Sequence, residues 1–75
     1  MMKEREKQIL EFIIENRRVK LDELVKQFDV SKRTLYYDIQ SINYFIKSAG
    51  EIKNIEHEFS FVGDYRKLHS TINFQ

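Results

Sequence analysis

Apolar residues in the middle of the chain recur at helical spacing and predict one long helix over residues 31–49. Its apolar stripe consists of Leu35, Ile39, Ile42 and Ile46. These residues follow one another at steps of four, three and four, which places their side chains on one side of a helix. The opposite side carries Arg33, Tyr37, Gln40 and Tyr44. Ser31 can cap the first turn, because its hydroxyl can accept a hydrogen bond from a free backbone N–H group, and Gly50 can end the helix.

Two shorter amphipathic segments precede this long helix. Residues 3–16 predict a first helix, whose apolar arc consists of Ile9, Leu10, Phe12, Ile13 and Ile14. This arc covers about half of the circumference, which is more than a surface helix needs, so the helix is either sandwiched between two layers of the domain or covered by a partner chain. Residues 21–28 predict a second helix of about two turns. Lys20 lies at its N-cap position without the ability to accept a capping bond, and Asp29 is expected in a left-handed conformation at the next bend.

After the long helix, apolar and polar residues alternate as they do in a β-hairpin. The predicted strands are residues 53–56 and 59–62. A two-residue turn at positions 57–58 would place Ile55 and Phe59 on opposite faces of the hairpin, so an odd-length loop or a bulge is expected to restore a single apolar face. Because an isolated hairpin is marginally stable in water, this one is expected to pack against the first and third helices.

The last part of the chain predicts a short helix. Gly63 ends the hairpin, and Asp64 can cap the helix that follows it. The residues that share the apolar face of this helix are Tyr65, Leu68 and Ile72. We therefore expect one domain over residues 1–63, and in residues 64–75 a short helix or linker that leads towards a further C-terminal domain.

The order of these elements indicates the fold class. Three helices and a hairpin, with a tight turn between the second and third helices, follow one another as in a winged helix-turn-helix. The expected fold is mostly α with a small β-hairpin, built as a three-helix bundle plus a two-stranded wing. A chain of 75 residues is long enough for one such domain, with a core that supplies only a few kcal/mol of net stability.

Composition and the lack of catalytic motifs exclude several classes of function. The chain contains no cysteine, which rules out disulfides, thiolate metal sites and a cysteine nucleophile. No apolar run reaches the roughly 20 residues that span a bilayer, and the N-terminus lacks the apolar segment of a secretory signal. His57 and His69 have no ligand partner at metal spacing. The carboxylates are scattered on helical faces without a paired arrangement, and the sequence has no Gly-rich phosphate loop or nucleophile elbow. We expect a cytoplasmic protein that is not an enzyme and that needs no metal, cofactor or membrane.

The distribution of charge gives a first indication of a partner. The 13 basic and 12 acidic residues leave a net charge of +1, so the total charge argues neither for nor against a nucleic-acid partner. Basic residues cluster before the second helix and at the start of the long helix, where they are Arg17, Arg18, Lys20, Lys32 and Arg33. A positively charged helix N-terminus suits phosphate, and Arg33 can pair with guanine in the major groove. The pattern indicates that the long helix inserts into a DNA groove.

The candidate DNA contacts lie in the long helix and in the loop before the second helix. They are Ser31, Lys32, Arg33, Thr34, Tyr36, Tyr37, Gln40, Arg18 and Lys20. Two further candidates, Lys53 and His57, lie in the hairpin, where they would reach phosphate or a minor groove. Tyr36 lies nearer the apolar stripe than Tyr37, so its alternative place is partly in the core with its hydroxyl in water. Asp38 is expected to order Thr34 or to pair with a basic residue of another helix.

A resemblance to a known family rests on the motif RxxxILEFIIENRRVKLDELVKQFDVSKRTLYYDIQSIN at residues 5–43 and on the hairpin that follows. This pattern resembles the N-terminal winged helix-turn-helix of bacterial transcriptional regulators. The part VSKRTLYYDIQSIN is especially similar to regulators that carry phosphotransferase-system regulation domains, and more distantly to the DeoR-type helix-turn-helix. The resemblance implies that Ser31 to Thr34, Tyr36 and Tyr37 meet DNA, that the hairpin is the wing, and that a sugar-responsive regulatory domain follows.

Together these observations predict sequence-specific binding of double-stranded DNA by the N-terminal domain of a bacterial transcription regulator. We expect a homodimer in the full-length protein, because one such module makes too few contacts for useful specificity. Two alternatives stay open. The near-neutral charge and the wide apolar face of the first helix would also suit a protein-docking module. RNA binding, with Tyr36 and Tyr37 as stacking platforms, is the other alternative.

Overall fold

The computed structural model describes residues 1–73, which form four helices and a three-stranded antiparallel sheet. In chain order the elements are α1 (Glu4–Asn16), β1 (Val19–Lys20), α2 (Leu21–Phe28), α3 (Lys32–Ile46), β2 (Gly50–Ile55), β3 (Glu58–Gly63) and α4 (Tyr65–Asn73). The strand order is β1-β3-β2, so β3 is central and β2 is an edge strand. The predicted mostly α winged helix-turn-helix fold is confirmed, and β1 adds a third strand to the predicted two-stranded wing.

One apolar core lies between the helices and the inner face of the sheet. Its fully buried side chains are Ile9, Leu10, Ile13, Val19, Leu24, Leu35, Ile42, Ile46, Phe59 and Leu68. The wide apolar arc of α1 is covered within the chain, because Phe12 and Ile14 pack against this core. The Phe12 ring meets the Phe28 ring edge to face, with 5.9 Å between centroids. Of the two alternatives for α1, the sandwiched arrangement is therefore the observed one.

Glutamate side chains compensate for the lysines at two helix starts. At α2 the N–H of the N-cap residue Lys20 donates to the Glu23 carboxylate at 3.3 Å. At α1 the N–H of Lys3 donates to Glu6 at 2.9 Å in the same way. Each glutamate satisfies a backbone donor and places negative charge in the first turn, where the helix dipole favours it. Asp29 has φ 52° and ψ 52°, which confirms the predicted left-handed residue between α2 and α3.

The long helix begins as predicted and ends earlier. Ser31 is its N-cap, but the helix ends at Ile46 instead of extending to residue 49. The chain leaves the helix because Ala49 is held from two sides: its N–H donates to the C=O of Ile46 at 2.8 Å, and its C=O accepts from the N–H of Asp64 at 2.8 Å. Gly50 therefore starts β2 rather than ending the helix.

The hairpin differs from the prediction in both its bounds and its turn. The expected odd-length loop or bulge is wrong: Ile55 pairs directly with Glu58 across a two-residue turn at Glu56 and His57. Both turn residues have positive φ, 52° and 65°, the pattern of a type I′ turn that matches the twist of the strands. In this register Ile55 is 63% exposed on the solvent face, and Ile52 takes the core position that Ile55 was expected to fill.

The last helix packs against the rest of the domain. Asp64 Oδ1 accepts from the N–H groups of Arg66 at 2.9 Å and Lys67 at 3.1 Å, which confirms the predicted cap. Leu68 is fully buried, and the Tyr65 ring lies 5.1 Å from the Phe61 ring. Of the predicted segment 64–75, the last two residues lie outside the described part of the chain. The domain boundary at residue 63 stays a prediction.

Candidate nucleic-acid interface

The outward face of α3 presents a polar, aromatic stripe to solvent. Arg33, Tyr37 and Gln40 are exposed at successive turns of one helical side, because the opposite side is held in the core by the apolar stripe. The guanidinium of Arg33 lies 5.6 Å from the Tyr37 ring centroid, and its Nη2 donates to the Tyr37 hydroxyl at 3.3 Å. The aromatic ring thus supports the arginine in a position that faces away from the domain.

The first turn of α3 is organised by two hydroxyl groups. The Ser31 Oγ accepts from the N–H of Thr34 at 3.1 Å, and the Ser31 hydroxyl donates to Thr34 Oγ1 at 3.1 Å. This pair fixes the helix start and leaves acceptor lone pairs at the surface. Lys32 and Arg33 follow directly and are exposed, so two full positive charges add to the positive end of the helix dipole.

The single acidic residue of α3 is turned away from this face and neutralised. Asp38 is only 7% exposed and receives two bonds from Arg5 of α1, from Nε to Oδ2 at 2.7 Å and from Nη2 to Oδ1 at 3.1 Å. The hydrogen bond to Asp38 raises the pKa of Arg5, against the opposing effect of desolvation. The pairing of Asp38 with a basic residue of another helix is therefore confirmed, and the outward face of α3 has no unpaired carboxylate.

A shallow cleft joins the starts of α2 and α3 to the tip of the wing. It has a volume of about 280 Å³ and contains three of the candidate residues, Lys20, Lys32 and His57. The backbone C=O of His57 accepts from the N–H of Leu21 at 2.8 Å, which fixes the tip beside α2. The acidic lining residues are Asp22, Glu56 and Glu58. The cleft therefore has mixed charge, and Lys32 is the basic residue that α3 contributes to it.

Two candidates lie at the solvent face of the sheet, apart from the stripe of α3: Lys53 in β2, and Arg18 directly before β1. Arg18 borders a hollow of about 470 Å³ together with Ile55 and Ser60. Lys53 pairs with Ser60 across β2 and β3, and its Nζ lies 4.0 Å from the Glu51 carboxylate. Such an exposed ion pair is weak. The candidate residues thus form two groups, one around the start of α3 and one on the sheet.

Tyr36 lies in the seam between α3 and the wing. Its ring is half-buried, with its centroid 6.0 Å from that of Phe59, and its hydroxyl accepts from Asn54 Nδ2 at 3.4 Å. The Tyr36 ring therefore lies partly in the core, as the alternative for this residue predicted, while its hydroxyl lies at the edge of the wing. Tyr37, 56% exposed, is the tyrosine that faces outward.

Sequence reasoning missed two residues that hold this surface together, Arg5 and Asn43. Asn43 Oδ1 accepts from the N–H of Ile52 at 2.7 Å, and Asn43 Nδ2 donates to the C=O of Ile52 at 3.1 Å. A signal for Asn43 was present, because asparagine is a weak helix former and this one lies inside α3, next to Ile42 of the apolar stripe. Nothing local pointed to Arg5, whose partner is 33 positions away in the chain.

Among residues 1–73, histidine and acidic side chains form no group of three or more that could hold a metal ion. In the same part of the chain, no helix is both long and apolar enough to cross a membrane.

The helix-turn-helix region of the chain matches a known family. A family model of a helix-turn-helix (HTH) domain matches residues 5–54, from the first turn of α1 to the end of β2 and across two thirds of the chain. Searches of curated proteins and of solved structures find no match. The matched region includes the α2–turn–α3 unit that in this class of DNA-binding domain places its second helix in the major groove. The chain therefore belongs to the HTH domain family.

Proposed function

We propose that this chain binds double-stranded DNA in a sequence-specific manner, with α3 in the major groove. The observation that carries the proposal is the outward face of α3, where Arg33, Tyr37 and Gln40 are exposed and the helix's single carboxylate is paired with Arg5 on another side. DNA is a dense polyanion, so a face with cations and without free carboxylates suits it. The polar and aromatic side chains on this face of α3 can contact base edges.

Each group of candidate residues has a distinct role in this proposal. Arg33 pairs with a guanine edge, a contact worth about 1–3 kcal/mol of discrimination between bases. Lys20 and Lys32, which border the cleft beside the start of α3, contact phosphate on either side of the helix N-terminus. Phosphate contacts fix the register of the protein on the duplex and supply most of the affinity. Arg18, Lys53 and His57 are further candidates for backbone contacts from the sheet and the wing tip.

The biological setting is part of the same proposal. The resemblance of the α3 motif to regulators with phosphotransferase-system regulation domains supports the N-terminal domain of a bacterial transcription regulator, acting in the cytoplasm. Residues 64–75 would then lead into a following regulatory domain. One module of this size contacts few base pairs, so the full-length protein would act as a homodimer on paired half-sites.

Protein docking is the second candidate function. It is favoured by apolar and aromatic side chains that are exposed to solvent: Tyr44, Ile55, Val62 and Tyr65. RNA binding is less well supported, because the Tyr36 ring packs on Phe59 and only Tyr37 is left as an exposed stacking platform of the pair.

Enrichment of binding sites from random duplex DNA, followed by titration at several salt concentrations, tests the proposed function. We expect a defined motif to be enriched. For about three phosphate contacts, affinity is expected to fall about 40-fold between about 50 and 200 mM salt. A mainly apolar docking contact would show little change over the same range. Failure to enrich any motif, or binding that does not depend on salt, would contradict the proposal.

A further inference from the structure

The side chain of Asn43 joins α3 to the edge strand β2, because it hydrogen-bonds to the β2 backbone as a neighbouring strand would. Its carboxamide satisfies both backbone polar groups of Ile52, at 2.7 Å and 3.1 Å. β2 is an edge strand, and on an open edge such groups would face water or a foreign strand. One side chain therefore closes this point of the sheet edge and ties the wing to α3.

A second contact lies two helical turns away and extends the same seam. The Tyr36 hydroxyl accepts from Asn54 Nδ2, and Asn54 is two residues after Ile52 in β2. Since every second residue of a strand points to the same face, both β2 positions turn towards α3. Lys53 lies between them, and its side chain therefore projects from the opposite, solvent face.

We propose that Asn43 is a positioning residue for DNA binding, which holds the wing against α3 so that Lys53 contacts a phosphate of the duplex that α3 enters. This inference rests on the proposed DNA-binding function and adds the wing to it. The two neighbours of Lys53 in β2, Ile52 and Asn54, both hydrogen-bond to side chains of α3, and the shorter of these bonds are those between Asn43 and Ile52. Without the two Asn43 bonds, the backbone groups of Ile52 bond to water, and Lys53 is no longer held at a fixed position relative to α3.

Hydrogen exchange of the Ile52 amide in this 75-residue chain measures the seam directly. In Asn43→Ala we expect this amide to exchange about tenfold faster, because local opening of the edge becomes easier. Asn43→Gln moves the carboxamide outward by one methylene and is expected to give a smaller change in the same direction. It also serves as the second variant if Asn43→Ala does not fold. Gln8→Ala, which removes an exposed carboxamide from α1, is the matched control. An unchanged Ile52 amide in both Asn43 variants would overturn the proposal.

A double-mutant cycle with Lys53→Ala on the enriched duplex separates positioning from a merely structural role. We expect Asn43→Ala and Lys53→Ala each to weaken duplex binding about fivefold. In a chain that already carries Asn43→Ala, we expect Lys53→Ala to weaken binding less than about twofold further. Additive effects would overturn the proposal, because they would show that the wing contact does not depend on Asn43.

The remaining outcomes distinguish this inference from the proposed function. If Lys53→Ala has no effect in the parent chain, the wing does not contact the duplex and the inference is overturned, while binding by α3 stands. If the parent chain binds no duplex, the proposed function fails and the positioning role fails with it.

Discussion

Replacement of Gly63 by alanine is expected to lower the free energy of unfolding by about 3 kcal/mol, from the combined cost of backbone strain and steric overlap. Gly63 has φ 156° and lies opposite Gly50, φ 152°, in the β2–β3 register. A Cβ atom on Gly63 would overlap the carbonyl oxygen of Ala49 and lie 2.6 Å from Gly50 Cα. All of these are backbone atoms, so no side-chain rotation relieves the overlap.

The consequence extends beyond the hairpin, because the exit of α3 and the start of α4 also meet at this glycine pair. The Ala49 carbonyl that the new Cβ would strike accepts the Asp64 N–H, which joins the exit of α3 to the start of α4. Urea unfolding followed by circular dichroism measures the loss, and Ser60→Ala in the same strand is the control, expected to stay within about 0.5 kcal/mol of the parent. A Gly63→Ala loss below about 1 kcal/mol would contradict the close approach of the two glycines.

Removal of the Arg5 side chain is expected to cost about 2 kcal/mol, more than removal of its partner Asp38, which is expected to cost about 1 kcal/mol. Arg5→Ala leaves the buried Asp38 carboxylate, whose side chain is 9% exposed, without its cation. Asp38→Ala leaves a guanidinium that is 43% exposed and can be hydrated. The same exposure screens the ion pair, so the figures are lower than for a fully buried pair.

Unfolding of both single variants and of the double variant measures this asymmetry, with the double variant expected to lose less than the sum of the two. Asp38 raises the pKa of Arg5, so the stabilisation is present below the unfolded pKa and is lost only as the pH rises through the folded one. The contribution of Arg5 is therefore expected to be constant between about pH 5 and 9. A larger loss for Asp38→Ala than for Arg5→Ala would show that Asp38 does not need its cation.

The helices and the outward face of α3 could be predicted because local sequence determines them. The apolar stripe determined which side of α3 is buried, Ser31 marked the start of the helix, and the left-handed conformation of Asp29 followed from the tight turn. The stripe of Arg33, Tyr37 and Gln40 followed from the same period.

The wing could not be predicted to the same extent, because contacts distant in sequence determine it. Glu56 and His57 are not residues that favour a type I′ turn, yet the turn forms where β1 pairs with β3 and the Leu21 N–H bonds to His57. These bonds fix the register and leave Ile55 exposed. The seam at Asn43 and the pair of Arg5 with Asp38 likewise join elements that no local pattern relates.

The affinity of Arg33→Ala for the enriched duplex shows whether the exposed face of α3 reads DNA. Arg33 is exposed and bonded only to Tyr37 among the described residues, so its removal is expected to leave the free energy of unfolding unchanged within about 0.5 kcal/mol. We expect Arg33→Ala to bind the enriched duplex at least about tenfold more weakly than the parent, with a smaller loss for Tyr37→Ala and none for Gln8→Ala. If folded Arg33→Ala binds the duplex as tightly as the parent does, the exposed face of α3 does not read DNA.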